Sequence, residues 1–164
     1  MTSCLANYGY FCTTAYRPEA TFLFRLTLFN YLTSNGDAHL KNFSLHRRPD
    51  TGEYRLTPAY DLLNTALHVP DGNGLALDLF ADDHETPGFA ANAFPAHHDS
   101  LKLGLRLGLP RSRVRRLLAD IMGHEAATAA LLEKSFLSPE LRERYAAGLA
   151  SRRQRLRYSL AGAA

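Results

Sequence analysis

The sequence has no tryptophan, only two cysteines and no apolar run long enough to cross a bilayer. Cys4 and Cys12 are too few for a disulfide framework or a four-ligand zinc site, so both are expected to be reduced thiols. The most apolar stretch, 21–32, is interrupted by Arg25 and falls short of the roughly 20 residues that a spanning helix needs. The start, Met1-Thr2-Ser3-Cys4-Leu5, places no positive charge ahead of its apolar residues, unlike a signal peptide. These absences lead to the expectation of a cytoplasmic protein without membrane association. Lysine is scarce, since 16 of the 19 basic residues are arginine. Glycine is scarce early in the chain, with only Gly9 before Gly36.

What is present is ordinary for a folded domain. The chain has 164 residues, 46% hydrophobic and 21% charged, which suits one domain with a core and argues against disorder. The net charge of +3 conceals an asymmetry: residues 1–101 hold 6 basic and 11 acidic side chains, and residues 102–164 hold 13 basic and 5 acidic. A basic half can steer the molecule towards phosphates or an acidic partner. The plainer reading, arginines on the solvated faces of amphipathic helices, is preferred.

The pattern along the chain is mainly α with one small β-hairpin, an α+β class. Residues 1–17 read as an irregular segment and 18–164 as one lobe. Pro18-Glu19-Ala20 suits the first turn of a helix, followed by Phe22, Leu26, Phe29 and Leu32 at helical spacing. Ser34-Asn35-Gly36 ends that helix, with Gly36 or Asn35 expected in the left-handed conformation. Residues 43–57 read as a hairpin around Arg48-Pro49-Asp50-Thr51-Gly52, and Pro58 stops its second strand. A turn at Asp71-Gly72-Asn73-Gly74 leads to an expected strand, Leu75 to Phe80, and 81–98 reads as a polar loop. Leu101, Leu103, Leu105 and Leu107 alternate like a strand, yet the length and the following Gly108-Leu109-Pro110 favour a short helix. Val114, Leu117, Leu118 and Ile121 mark another helix, and Ala127, Leu131 and Phe136 a further one. The last opens on Ser138 as N-cap with Pro139 and Glu140 in its first turn, and ends among Arg152, Arg153, Arg155 and Arg157.

One segment carries chemistry: Asn35-Gly36-Asp37-Ala38-His39-Leu40-Lys41-Asn42-Phe43. Phosphoryl transfer from ATP needs a carboxylate to orient a hydroxyl and accept its proton, oxygen ligands for magnesium, and a cation near the moving phosphoryl group. Protein kinases set the base and one metal ligand on a single loop, an Asp followed five residues later by an Asn. Asp37 and Asn42 have that spacing, and Asp61 follows 19 residues beyond Asn42, just past the hairpin. An Asp-x4-Asn alone is common. The order helix, Asp loop, hairpin, Asp is that of a kinase C-terminal lobe.

The run Gly36-Asp37-Ala38-His39-Leu40-Lys41-Asn42-Phe43-Ser44-Leu45, with Leu56-Thr57-Pro58-Ala59-Tyr60-Asp61-Leu62-Leu63, closely resembles the HipA-type serine/threonine kinases, toxins of bacterial toxin–antitoxin systems. The resemblance is strongest over 22–80 and colinear through the C-terminal helices. It implies a protein-kinase-like C-terminal lobe, with Asp37 as catalytic base and Asn42 and Asp61 as ligands for Mg2+, ATP being the phosphate donor. It makes Lys41 a candidate phosphate contact, with His39 either a second or a brace for the loop. It also implies a HipB-like antitoxin and a protein substrate, an aminoacyl-tRNA synthetase in relatives, with no direct DNA contact expected. The glycine-rich loop and strand lysine of an N-terminal lobe have no counterpart among the 36 residues before Asp37. The expectation is an N-lobe supplied by another polypeptide, or a decayed gene product that only binds. The exposed edge is then expected to meet a partner or a second copy.

Other readings weigh less. Aminoglycoside phosphotransferases share Gly-Asp-x4-Asn but place His before the Gly, where this chain has Asn35, and set their second metal Asp in an Asp-Phe-Asp-like context, where this chain has Ala59-Tyr60-Asp61-Leu62. His84 beyond Asp82-Asp83, and His97-His98-Asp99, lack a compact zinc pattern and read as solvated loop. Residues 105–118 faintly resemble a helix-turn-helix with arginines at 111, 113, 115 and 116, but a structural helical hairpin is preferred.

Overall fold

The computed structural model describes residues 16–69, 75–80 and 85–158. Its long first helix, α1 (Tyr16–Leu32), runs through the core and carries the candidate site at its C-terminal end. Apolar residues surround most of it: Leu23, Phe24, Leu28, Tyr31 and Leu32 are all buried. A two-stranded antiparallel hairpin, β1 (Leu45–Arg47) with β2 (Tyr54–Leu56), pairs Leu45 with Leu56. Gly52 sits at φ +72° in its turn, where only glycine avoids a Cβ penalty. Glu19, expected only to face the helix dipole, also accepts the Leu56 N–H at 2.7 Å and ties the hairpin to α1.

Five more α-helices follow among the described residues: α2 (Pro87–Asn92), α3 (His97–Arg106), α4 (Arg111–Met122), α5 (Glu125–Glu133) and α6 (Pro139–Arg157). Helices α3 and α4 form a hairpin through Gly108, at φ +72°, and bury Leu103, Leu107, Val114 and Leu118 against α1. The arginines at 111, 113, 115 and 116 lie on the exposed side of α4, as solvated helix faces should. Ser138 caps α6, its hydroxyl accepting the Leu141 N–H at 3.3 Å. No helix among the described residues is long and apolar enough to cross a membrane.

Several expectations are corrected. Helix α1 starts at Tyr16, ahead of Pro18. Residues 75–80 form no strand ladder, only an isolated bridge at Asp78; Leu77 and Phe80 are buried in an otherwise irregular segment. Residues 81–98 are not all loop, because Thr86-Pro87 starts α2 and α3 begins at His97. Thr86 is the N-cap, accepting the Phe89 N–H at 3.1 Å. Asp99, read as solvated, is fully buried: it accepts the Thr86 hydroxyl at 2.5 Å and the Ala96 N–H at 2.9 Å at the positive end of α3. Burial, with the charges of Arg115 and His98 nearby, lowers the pKa of His97. In α5 the face that packs on α6 is carried by Thr128 and Leu132, one residue on from the stripe at Ala127 and Leu131. Leu131 and Phe136 are accordingly exposed. The turn at 71–74 and the Asp82-Asp83-His84 group lie outside the described residues.

Arg152 of α6 reaches α1 from within the core at 4% exposure. Its guanidinium stacks 4.7 Å from the Tyr31 ring, and its Nε donates to Ser34 Oγ at 3.4 Å, beside the last turn of α1. Burial raises the Tyr31 phenol, and the Arg152 charge works against that rise. Arg152→Met retains most of the stem packing and removes the charge, so the loss comes from stacking and hydrogen bonds. Urea unfolding is expected to show a loss of about 1–3 kcal/mol. An unchanged midpoint would mean that the stack contributes nothing.

Candidate functional site

The site begins where α1 ends. Asn35 N–H donates to Asn30 O at 2.8 Å, and Ser34, at φ +55°, is the residue that turns the chain left-handed. Asn35 and Gly36 were the expected left-handed positions. Ser34 holds the conformation because its carbonyl accepts the N–H of Thr65 at 3.2 Å and the Thr65 hydroxyl at 3.1 Å. The same Thr65 oxygen accepts the Gly36 N–H at 2.9 Å. The segment after Asp61 is thereby stitched to the start of the Asp37 loop.

Two buried apolar residues anchor the loop itself. Ala38 and Phe43 are each 6% exposed. Between and beside them Asp37, His39 and Lys41 face outwards, and a 3-10 turn over Leu40–Asn42 swings Asn42 inwards. The Asp37 carboxylate is 68% exposed, and His39 Nε2 stands 4.0 Å from its Oδ1. That distance is a weak ion pair when the imidazole is charged and no hydrogen bond. Asp37 is thus an accessible carboxylate on a fixed backbone.

Asn42 and Asp61 come together across the hairpin: Asn42 Nδ2 donates to Asp61 Oδ2. Asp61 takes φ +56°, a conformation that costs a non-glycine residue about 1 kcal/mol or more and that surrounding contacts must hold. Next to it, the Tyr60 hydroxyl donates to Lys41 O at 2.6 Å and lies 2.6 Å from Ser44 Oγ, which must then supply the second proton. The order of the three oxygen-bearing residues in the sequence therefore corresponds to one loop bearing Asp37 and Asn42, with Asp61 bonded to the latter. The Lys41 side chain is exposed on the same loop.

Asn35 was legible in the sequence only as a helix stop. In the fold it is 1% exposed, and its side chain makes three hydrogen bonds. Nδ2 donates to Asn30 Oδ1 at 3.1 Å and to Asp61 O at 3.0 Å, and Oδ1 accepts the Asp37 N–H at 3.3 Å. The available signal was a second asparagine five residues earlier, on the same apolar helix, with no surface role to explain it.

The donor set suits some cations better than others. No group of three His, Cys, Asp or Glu gathers among the described residues, which disfavours a zinc-type centre. The fit to a hard, oxygen-preferring ion is better. Asn42 Oδ1 is buried and meets no hydrogen-bond donor among the described residues, an arrangement that costs about 1–3 kcal/mol unless something positive approaches it. Beside it stands a carboxylate. One amide oxygen and one carboxylate are what a magnesium site needs from protein when phosphates and water complete the octahedron.

Three comparisons bear on this geometry. A family model described as the HipA-like C-terminal domain matches residues 3–129. A protein of Sinorhizobium fredii named as a candidate kinase, Y4dM, is 46% identical over 66 residues, covering 40% of this chain and 16% of that protein. Among solved structures, HipA of Shewanella oneidensis, determined with HipB and operator DNA, superposes with a TM-score of 0.71 at 24% identity over 94% of this chain. The chain spans 36% of that HipA chain, well under half the length of either relative.

Proposed function

The chain belongs to the HipA-like C-terminal domain family, and from that premise we propose that it is the catalytic lobe of a serine/threonine protein kinase that transfers phosphate from ATP to a protein hydroxyl. The observation that carries the proposal is the pairing of Asn42 with Asp61, with the unsatisfied Asn42 Oδ1 beside them and Asp37 on the same loop. Asp37 accepts the proton of the attacking hydroxyl, and its exposure suits a substrate that arrives from solution. Asn42 and Asp61 are the residues that would hold Mg2+. That ion, when bound, offsets negative charge on the ATP phosphates. Lys41, exposed on the loop, is the candidate phosphate contact, and His39 either joins it or braces Asp37.

A glycine-rich cover and a strand lysine for the nucleotide are not among these residues, so the lobe works with an N-lobe that carries them, on the same or another polypeptide. Support comes from the apolar surface around Asp61: Leu62, Leu63 and Val69 are 41%, 55% and 56% exposed. Such a surface suits a partner lobe better than solvent. The structural relative was solved with HipB and operator DNA, which favours a HipB-like antitoxin as a further partner of this lobe. The protein substrate by analogy is an aminoacyl-tRNA synthetase.

Calorimetry with Mg2+ and ATP tests the proposal, using this chain alone and mixed with a HipA-like N-lobe. Magnesium-dependent nucleotide binding is expected in the mixture and is expected to vanish with Asp61→Ala. Binding of ATP that ignores both Mg2+ and Asp61 would overturn the metal assignment.

A further inference from the structure

We infer that Asn35 is a positioning residue that sets the catalytic-base loop and the metal-binding carboxylate as one unit, an inference that rests on the proposed function above. Its three side-chain hydrogen bonds end on the two functional segments and on the α1 helix that precedes them. The bond to the Asp61 carbonyl acts on a residue whose backbone is in the strained left-handed region, at φ +56°. Holding that carbonyl holds the backbone of residue 61, and with it the Cα–Cβ direction from which the carboxylate reaches Asn42. The bond from the Asp37 N–H fixes the backbone of the base. Asn30, 3% exposed on the rigid part of α1, accepts the second Nδ2 proton and settles which way the amide faces.

Those partners define what the residue at 35 must be. Two donors and one acceptor are used, in a pocket without solvent, and asparagine alone offers that set at that length. Aspartate would put one oxygen in the place of Nδ2, facing both the Asp61 carbonyl and Asn30 Oδ1, and so replace two attractions with two repulsions. Leucine keeps the branched shape and the number of heavy atoms and removes all three bonds. Thr65 joins the same two segments through backbone groups at 34 and 36, so the loops remain adjacent in a leucine variant. What is lost is their registration. Asn35 acts on the reaction through Asp37 and Asp61 and touches no reacting atom.

The test is NMR on the 164-residue chain with Mn2+ alone as probe, since paramagnetic broadening of backbone amides reports even weak, local binding. In the wild-type protein, amides in 37–43 and in 60–63 are expected to broaden together with one midpoint. Asn35→Leu is expected to need at least about tenfold more Mn2+, the scale on which groups behind a metal ligand act. Amides of the α3–α4 core should be unmoved, which a general loss of fold would not allow. If Mn2+ broadens neither segment in the wild type, the proposed function and this inference fall together. If it broadens both, and Asn35→Leu titrates identically, the inference alone falls. A measurement without substitution guards against a variant that does not fold. The wild-type Asn35 amide protons should exchange slowly and show cross-relaxation to Asp61 and Asn30, and free exchange would overturn the inference.

Discussion

Asp37→Asn, assayed in an assembly that phosphorylates a protein substrate, is expected to lower kcat by roughly a hundred- to ten-thousandfold, the range for loss of a positioned general base. The substitution is close to isosteric. The Asp37 carboxylate is 68% exposed and its backbone N–H is held by Asn35, so neither packing nor loop geometry depends on the charge. Stability should therefore stay within about 0.5 kcal/mol of wild type, as for other exposed positions. Binding of Mg2+ and ATP should also change little, because Asn42 and Asp61 remain paired. That combination, lost turnover with intact fold and intact metal–nucleotide binding, separates Asp37 from Asp61, whose loss should appear first in the metal dependence. Steady-state kinetics at saturating ATP, with calorimetry on the same samples, reads both quantities. Unchanged turnover in an active assembly would mean that some other group accepts the proton.

The reach of the sequence reading follows from how local each signal is. Asp37, Asn42 and Asp61 could be proposed from sequence because the chemistry demands particular residue types in a particular order, and order survives without knowledge of distances. The hairpin and the capped helix α6 were legible because turn and cap residues act within a few positions of themselves, and α1 and α4 because their apolar residues recur at helical spacing. Asn35 and Thr65 were not, since the contacts that join the two segments, from Asn35 to Asp61 and from Thr65 to Ser34, span 26 and 31 residues. Ser34 at φ +55° reverses the ordinary preference for Gly36 or Asn35 for the same reason: Thr65 and Arg152 hold it, and both are distant in the chain. Asp99 was misplaced because a carboxylate next to two histidines reads as polar surface. Its burial depends on Thr86, 13 residues earlier. The family resemblance carried the role assignments. The residues that hold those roles in place emerged only from the fold.

Gly104→Ala is expected to destabilise the lobe by about 2–3 kcal/mol, against a helix-propensity gain of about 1 kcal/mol that would act alone at an open position. Gly104 lies in α3 where it crosses α4. A Cβ there would stand 2.5 Å from Val114 Cγ2 and 2.8 Å from Val114 Cγ1, inside any real contact distance. Val114 cannot move aside cheaply, being fully buried among Leu103, Leu107 and Leu118, each 1% exposed. The helices must therefore separate, and the packing lost along the crossing outweighs the propensity gained. Pairing the change with Val114→Ala makes room for the new methyl, so the two losses should not add. A double-mutant cycle by urea unfolding should show an interaction of about 1–3 kcal/mol. Stabilisation by Gly104→Ala alone would mean that α3 and α4 do not cross this closely in solution. The consequence extends to the site, because α3 and α4 back the α1 helix whose C-terminal turn carries Asn35 and Asp37. A glycine in a run of leucines thus bears on how firmly the Asp37 loop is held, from a position remote in sequence from it.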